Sequence, residues 1–192
     1  LGEEAMDEAI WTRQGRLQFG IELRIVDEDG NDAPRDGVSS GALLVRGPWT
    51  IKRYFRAPAD ATDTDGWFDT GDIATLDEYG FMRITDRMKD VIKSGGEWIS
   101  SIDIENVAVS CPGVRIAAVI GIAHPKWEER PLLIVEPHQG VTVEAADVLA
   151  HIAAQVAKWQ VPDEVVFDTV PLTATGKIDK KALRQIYALR YS

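Results

Sequence analysis

The sequence predicts an α+β chain in two parts, a β-rich region followed by a smaller region with a three-stranded sheet flanked by helices. Three observations carry this. The first third alternates apolar and polar residues with the period of a half-buried strand. From about Ser100 short apolar runs alternate with helical stripes. Between the two lies Asp86-Arg87-Met88-Lys89-Asp90, a charged run set between apolar strands and unlike a floppy Gly/Ser linker.

Taken in order, Ile21, Leu23 and Ile25 alternate with Glu22 and Arg24, and Asp27 to Gly30 supplies a turn. Residues 31–41 read as a loop, and Ala42 to Val45 as a second strand closed by Gly47-Pro48. Ile73 to Leu76 and Phe81 to Thr85 read as a hairpin around Asp77-Glu78-Tyr79-Gly80. Ser100 with Asp103 predicts a capping box, opening a helix whose Ile104, Val107, Ala108 and Cys111 share a face. Val114 to Ile122 and Pro131 to Val135 suit buried strands. Thr142 is expected to cap a second helix with the stripe Val148, Leu149, Ile152, Val156. Val165 to Val170 reads as a third strand, and Asp179 as the cap of a last helix carrying Leu183, Ile186 and Tyr187.

The chain has 192 residues, 45% of them hydrophobic and 27% charged, which suits a packed core. A formal net charge of -10 argues against nucleic acid or an anionic membrane as the main partner. An anionic substrate would need local Lys or Arg residues, because the field of the whole molecule opposes it. Cys111 is the single cysteine and reads as a small buried thiol at a helix end. The longest apolar stretch, Ile116 to Ala123, falls far short of the roughly 20 residues of a membrane helix. With no signal peptide in view the cytoplasm is the expected compartment. A start at Leu1 without Met predicts a piece of a longer polypeptide.

Three stretches concentrate polar groups where packing does not ask for them. In Gly66-Trp67-Phe68-Asp69-Thr70-Gly71-Asp72-Ile73 a carboxylate stands where a strand begins. It could accept two vicinal ribose hydroxyls, or it could simply close an Asp turn. In Asp86 to Ser100, Arg87 offers a fork of donors to a nucleotide. Gly95-Gly96 there allows either close approach of a ligand or a plain tight turn. In Pro171 to Asp179, Lys177 on a Thr/Gly loop is either a cation deliverable to phosphate or an ordinary solvated Lys. Its surroundings lack the glycine spacing of a P-loop.

Together, in this order, the three resemble the motifs of the adenylate-forming superfamily of acyl-CoA synthetases, luciferases and peptide-synthetase adenylation domains. The resemblance implies that residues 66–73 are the ribose-binding motif, with Asp72 on the ribose. Residues 86–100 are similar to the interdomain hinge motif, which makes Arg87 a nucleotide contact, Lys89 the pivot, and Gly95-Gly96 the turn lining the pantetheine tunnel of CoA. Thr173 to Lys177 resembles the C-terminal adenylation motif, with Lys177 as its catalytic lysine. Weaker matches run through Gly20 to Asp27 and Gly41 to Phe55. The family's usual Glu is Ala42 here, and its Pro near Leu17 or Phe19 is missing. Lys89 and Ser94-Gly95-Gly96-Glu97-Trp98-Ile99-Ser100 look most like medium- and long-chain fatty acyl-CoA synthetases.

The implied organisation is the end of a large AMP-binding domain over residues 1–86, a hinge at 87–90 and a mobile lid domain over 91–192. The implied reaction joins a fatty acid, ATP and CoA into acyl-CoA, AMP and diphosphate, through an acyl-adenylate. ATP, Mg²⁺ and CoA belong to the complete enzyme, with no metal ligand expected in this chain. Partners are then the carboxylic acid, ATP, CoA and the upstream part of the same polypeptide. The phosphate loop and acyl pocket of such enzymes lie upstream, so the chain alone is expected to be inactive. Two alternatives are a carrier-loading adenylation domain, which Lys89 disfavours, and a non-catalytic module that kept the fold.

Overall fold

Polar–apolar alternation in the first part is realised as an antiparallel sheet. The computed structural model describes residues 13–188 and divides the chain into one unit ending at Lys89 and another beginning at Asp90. In the first unit β1 (Gly15–Arg16), β2 (Glu22–Val26), β3 (Ser40–Arg46), β4 (Phe68–Leu76) and β5 (Phe81–Arg87) pair in the order β1-β5-β4-β3-β2. One face buries Ile25, Leu43, Ala74 and Leu76, with Leu23, Val45, Met82 and Ile84 packed against them.

The excess of Asp finds its use in turns. Asp27 Oδ1 accepts from the Asp29 and Asn31 N–H groups, Asp77 Oδ1 from Tyr79 and Phe81, and Asp63 Oδ1 from Asp65 and Trp67. Each is an Asx-type turn, in which a short acceptor satisfies backbone donors two and four residues on. The hairpin at Asp77 to Gly80 forms as its sequence predicts, but β4 starts at Phe68, five residues before the expected Ile73. Asp72 therefore lies inside a strand rather than ahead of one. Gly71, at φ +72°, and a register shift at Ile73/Ala74 let the strand run through this Asp-rich segment.

The second unit contains β6 (Ile92–Ser94), β7 (Glu97–Ile99), α1 (Ser101–Val109), β8 (Val114–His124), β9 (Glu128–Pro137), α2 (Ala145–Ala153), β10 (Glu164–Phe167) and α3 (Lys180–Tyr187). The expected three strands are β8, β9 and β10. Antiparallel β8 and parallel β10 flank β9, and the hairpin β6–β7 joins β9 at Ser94 and Glu128. The two faces of this sheet are covered separately. Val119, Leu133 and Val135 pack with Ile104 and Ala108 of α1, Val148 and Ile152 of α2, and Ile92 and Ile99 of the hairpin. Ala118, Ile120, Leu132 and Ile134, pointing the other way, pack with Leu183 and Tyr187 of α3 and with Val170.

Capping decides two of the three helix starts. Ser100 Oγ accepts the Asp103 N–H at 3.1 Å, and Asp179 Oδ1 accepts the Ala182 N–H at 3.0 Å. Thr142 does not cap α2. That helix begins after Glu144 with no side-chain cap, and it starts where Val148 and Ile152 can reach the core. Leu149 is half-buried, and Val156 packs on the core from beyond the helix end. Strand β10 stops at Phe167, so that Val170 crosses to the α3 face. Ile186 points to solvent, 62% exposed, because a two-turn helix lying on the Leu183–Tyr187 line turns its i+3 position outward.

Candidate functional site

The first unit brings Asp72 and Arg87 together. They are register partners across β4 and β5, with Arg87 Nε 3.1 Å from Asp72 Oδ1. The Asp72 backbone is fixed from its own segment: its N–H donates to Thr70 Oγ1 at 3.1 Å, and Thr70 Oγ1 donates to Leu43 O at 2.9 Å. The Met88 N–H donates to Gly71 O at 2.9 Å, which continues the pairing one residue past β5. The Arg87 side chain is 61% exposed against 20% for Asp72, so the guanidinium is the movable member. A carboxylate fixed at its backbone beside a swinging fork of donors can receive vicinal hydroxyls. Lys89 follows in an exposed turn, and Asp90, the first residue of the second unit, accepts from Arg184 of α3 at 2.6 Å.

Gly95 and Gly96 form the two-residue loop of the β6–β7 hairpin, at φ +64° and +87°. Left-handed φ at both loop positions is the signature of a type I′ turn, which matches the twist of the flanking strands. Gly95 is required twice over, since a Cβ there would stand 2.9 Å from Trp127 Cε3. Beside Gly96 nothing lies within 4 Å of such an atom. One side of the turn is thus packed and the other open.

Lys177 ends a second tight turn. The Gly176 N–H donates to Thr173 O at 2.9 Å, with Gly176 at φ +79°. The Thr173 N–H donates to Lys177 O at 2.7 Å, and the Lys177 N–H donates to Thr173 Oγ1 at 3.2 Å. Both backbone polar groups of Lys177 are bonded while its side chain is exposed. A backbone held on both sides of a long cation delivers charge at a fixed root with a flexible reach. The turn leads through Asp179 into α3, the helix of one sheet face, whereas Ile92 and Ile99 of the Gly95-Gly96 hairpin bury on the other.

Residues 103–177 match the family described as AMP-binding enzyme C-terminal domain. The chain is 56% identical over 172 residues to a 3-methylmercaptopropionyl-CoA ligase of Ruegeria lacuscaerulensis, covering 89% of this chain and 32% of that protein. It is 48% identical to a medium-chain-fatty-acid–CoA ligase of Ectopseudomonas oleovorans, over 91% of this chain and 32% of that one. The crystal structure of ATP-bound MatB from Rhodopseudomonas palustris superposes with a TM-score of 0.82 at 33% identity, covering 94% of this chain and 37% of the other. The chain belongs to the adenylate-forming family, and its relatives are acyl-CoA ligases. It spans about a third of the length of the curated relatives it matches.

Among the described residues no three His, Cys, Asp or Glu side chains converge as a metal-ligand set. This part of the chain does not fit a Mg²⁺ site, and no step is derived through that ion. No helix among the described residues is long and apolar enough to cross a membrane. Sequence reasoning missed the buried ionic groups behind the turns. Lys180 Nζ lies 2.8 Å from Glu105 Oε1 and donates to Ser101 Oγ at 2.6 Å, with both charged side chains about nine-tenths buried. Arg130 is buried to the same degree. The one local signal was a run of charges, Glu128-Glu129-Arg130, opening an otherwise apolar strand.

Proposed function

We propose that this chain is the C-terminal portion of an ATP-dependent acid–thiol ligase that works in the cytoplasm, with 1–86 ending the AMP-binding domain, 87–90 acting as hinge and 91–192 as mobile lid. The observation that carries this is Lys177: a cation with its backbone bonded on both sides, presented on a different sheet face from the Gly95-Gly96 hairpin. One small unit with two such turns can serve two steps in sequence.

In the first step a carboxylate oxygen attacks the α-phosphorus of ATP and the bond to pyrophosphate breaks. Lys177 offers its ammonium to the carboxylate and the α-phosphate, and Asp72 with Arg87 holds the ribose. In the second step the CoA sulfur attacks the acyl carbon. The C–S bond forms, the C–O bond to AMP breaks, AMP leaves with the electron pair, and the thiol proton passes to solvent. Gly96, open on one side, gives room to the pantetheine arm, and Lys89 is the pivot between the two poses. Mg²⁺ would be held by other parts of the enzyme, where it neutralises phosphate charge.

For the acid, the resemblance supports a fatty acid, and the medium-chain relative agrees. A second reading, a short thioether acid, is favoured by the 56% identity to a 3-methylmercaptopropionyl-CoA ligase. Phe19, Trp49 and Phe55 stand 101%, 79% and 89% exposed, which supports packing of the first unit on an upstream part of the same polypeptide. The test uses the full-length protein with ATP, Mg²⁺, CoA and a panel of fatty acids and 3-methylmercaptopropionate. Pyrophosphate release should appear with a member of the panel and be lost by about 10²–10³-fold in Lys177→Ala. That variant should still convert supplied acyl-adenylate to acyl-CoA. Equal rates in mutant and wild type for adenylation would overturn the reading, as would turnover by the 192-residue chain alone.

A further inference from the structure

Arg130, on β9, uses every donor it has. Its Nε donates to Asp163 Oδ2 at 2.9 Å. Nη2 donates to Asp163 Oδ1 at 2.7 Å and to Val161 O at 2.9 Å. Nη1 donates to Trp159 O at 2.7 Å and to Ser94 Oγ at 3.1 Å. A guanidinium has five N–H donors in a rigid fork, and all five are matched here with the side chain only 11% exposed. The acceptors come from three separate stretches: the end of β6, the turn at 159–161, and the approach to β10.

Ser94 is the residue directly before Gly95, and it is itself buried, 7% exposed. The turn is braced from a second side, because the Gly95 N–H donates to Trp127 O at 2.9 Å, a carbonyl that also accepts the Glu129 N–H at 2.8 Å. Between those two residues Glu128 is held at φ +68°, a left-handed conformation that costs a non-glycine residue of order 1 kcal/mol. Backbone strain, a saturated buried cation and a buried serine thus converge on one two-residue loop. No printed contact of this network involves residues 171–179, whose turn closes on itself.

We propose that Arg130 is a positioning residue for the thioester-forming step: it holds the Gly95-Gly96 turn in the geometry that admits the pantetheine arm of the thiol substrate, and it does not serve adenylation. This rests on the acid–thiol ligase reading above. The chemistry of that step is unchanged by Arg130, which touches neither thiol nor acyl carbon. Its effect is on where the turn stands when sulfur approaches. Misplacement of a reacting group by about 1 Å can cost on the order of 10²-fold in rate. Lysine cannot replace it, since one compact ammonium cannot join a carboxylate, two carbonyls and a hydroxyl in one plane.

The test measures both half-reactions in the full-length enzyme: pyrophosphate release from carboxylic acid and ATP, and acyl-CoA formation from supplied acyl-adenylate over a range of CoA concentrations. Arg130→Lys should slow the thioester step by about 10²-fold, with a raised KM for CoA, and should leave pyrophosphate release close to wild type. Ser94→Ala removes one acceptor and keeps the other four, so it should shift the same step in the same direction by less. Should Arg130→Lys not fold, Ser94→Ala decides by itself. Equal losses in both half-reactions, or an unchanged thioester step, would overturn the proposal. A wild-type enzyme that makes no acyl-adenylate would instead sink the ligase reading, and this inference with it.

Discussion

Arg87 and Asp72 stand opposite each other on β5 and β4, with Nε to Oδ1 at 3.1 Å. With Arg87 mostly exposed, the pair contributes about 0–1 kcal/mol to folding. Such a weak link can be reorganised around a ligand without loss of the fold. The pair therefore matters more for what it can hold than for what it stabilises.

Asp72→Asn and Arg87→Met, made in the full-length protein, should each weaken ATP binding by about 10–100-fold, the worth of a hydrogen bond to a charged group at roughly 1.5–3 kcal/mol. The double variant should lose less than the sum, since the two side chains share one contact. Chemical denaturation should move by no more than about 1 kcal/mol. A collapse of stability with unchanged ATP binding would make the pair structural.

Lys89→Pro should separate the half-reactions. Proline fixes φ near -65° and removes a backbone donor, so a residue that must visit two backbone states is held in one. One half-reaction should fall much further than the other in single-turnover assays, with the circular dichroism spectrum preserved. Equal loss of both would remove Lys89 from the role of pivot.

Lys180, at the start of α3, meets Glu105 and Ser101 of α1, and Glu105 Oε1 also accepts the Val119 N–H at 2.8 Å. Removing one member of such a buried pair strands the other, at about 3–5 kcal/mol. Lys180→Met should lower the unfolding free energy by that amount in urea titration, and adding Glu105→Gln should restore part of it by removing the stranded charge. The turn carrying Lys177 leads directly into α3, so Lys180→Met should also slow adenylation more than thioester formation. A loss under about 1 kcal/mol would show that the pair is not buried in solution.

Acid should loosen the α3 face first. The Tyr187 hydroxyl donates to Asp168 at 2.7 Å and, with the Thr169 N–H, holds that carboxyl below its ordinary range. Glu136 is lowered too, by the Val170 N–H at 3.0 Å and then by Arg115. Because both groups titrate lower in the fold than in the unfolded chain, their stabilisation is complete above the usual carboxylate range near 4. It is lost as pH falls through the lower folded values. Asp168→Asn should flatten the acid limb of a stability–pH curve followed by tyrosine fluorescence or circular dichroism. An unchanged acid limb would assign acid sensitivity to other carboxylates.

The sequence by itself determined whatever is closed within about four residues. The caps at Ser100 and Asp179, the Asp27 and Asp77 turns and the paired glycines at 95 and 96 all formed as read, because each depends on torsions and donors of its own neighbourhood. The motif residues Asp72, Arg87 and Lys177 were legible as resemblance, since they sit in short contiguous runs. Only the tertiary structure decided that Asp72 lies within β4 opposite Arg87, that α2 starts at Ala145 without a threonine cap, and that Ile186 faces water. Those outcomes follow from register and from which side chain reaches the shared core. Arg130 is the extreme case: its acceptors lie up to 36 residues away in the chain, and no local pattern announces them. A saturated guanidinium is a property of packing, because its five partners are brought within reach only when β6, β9 and the approach to β10 have already assembled.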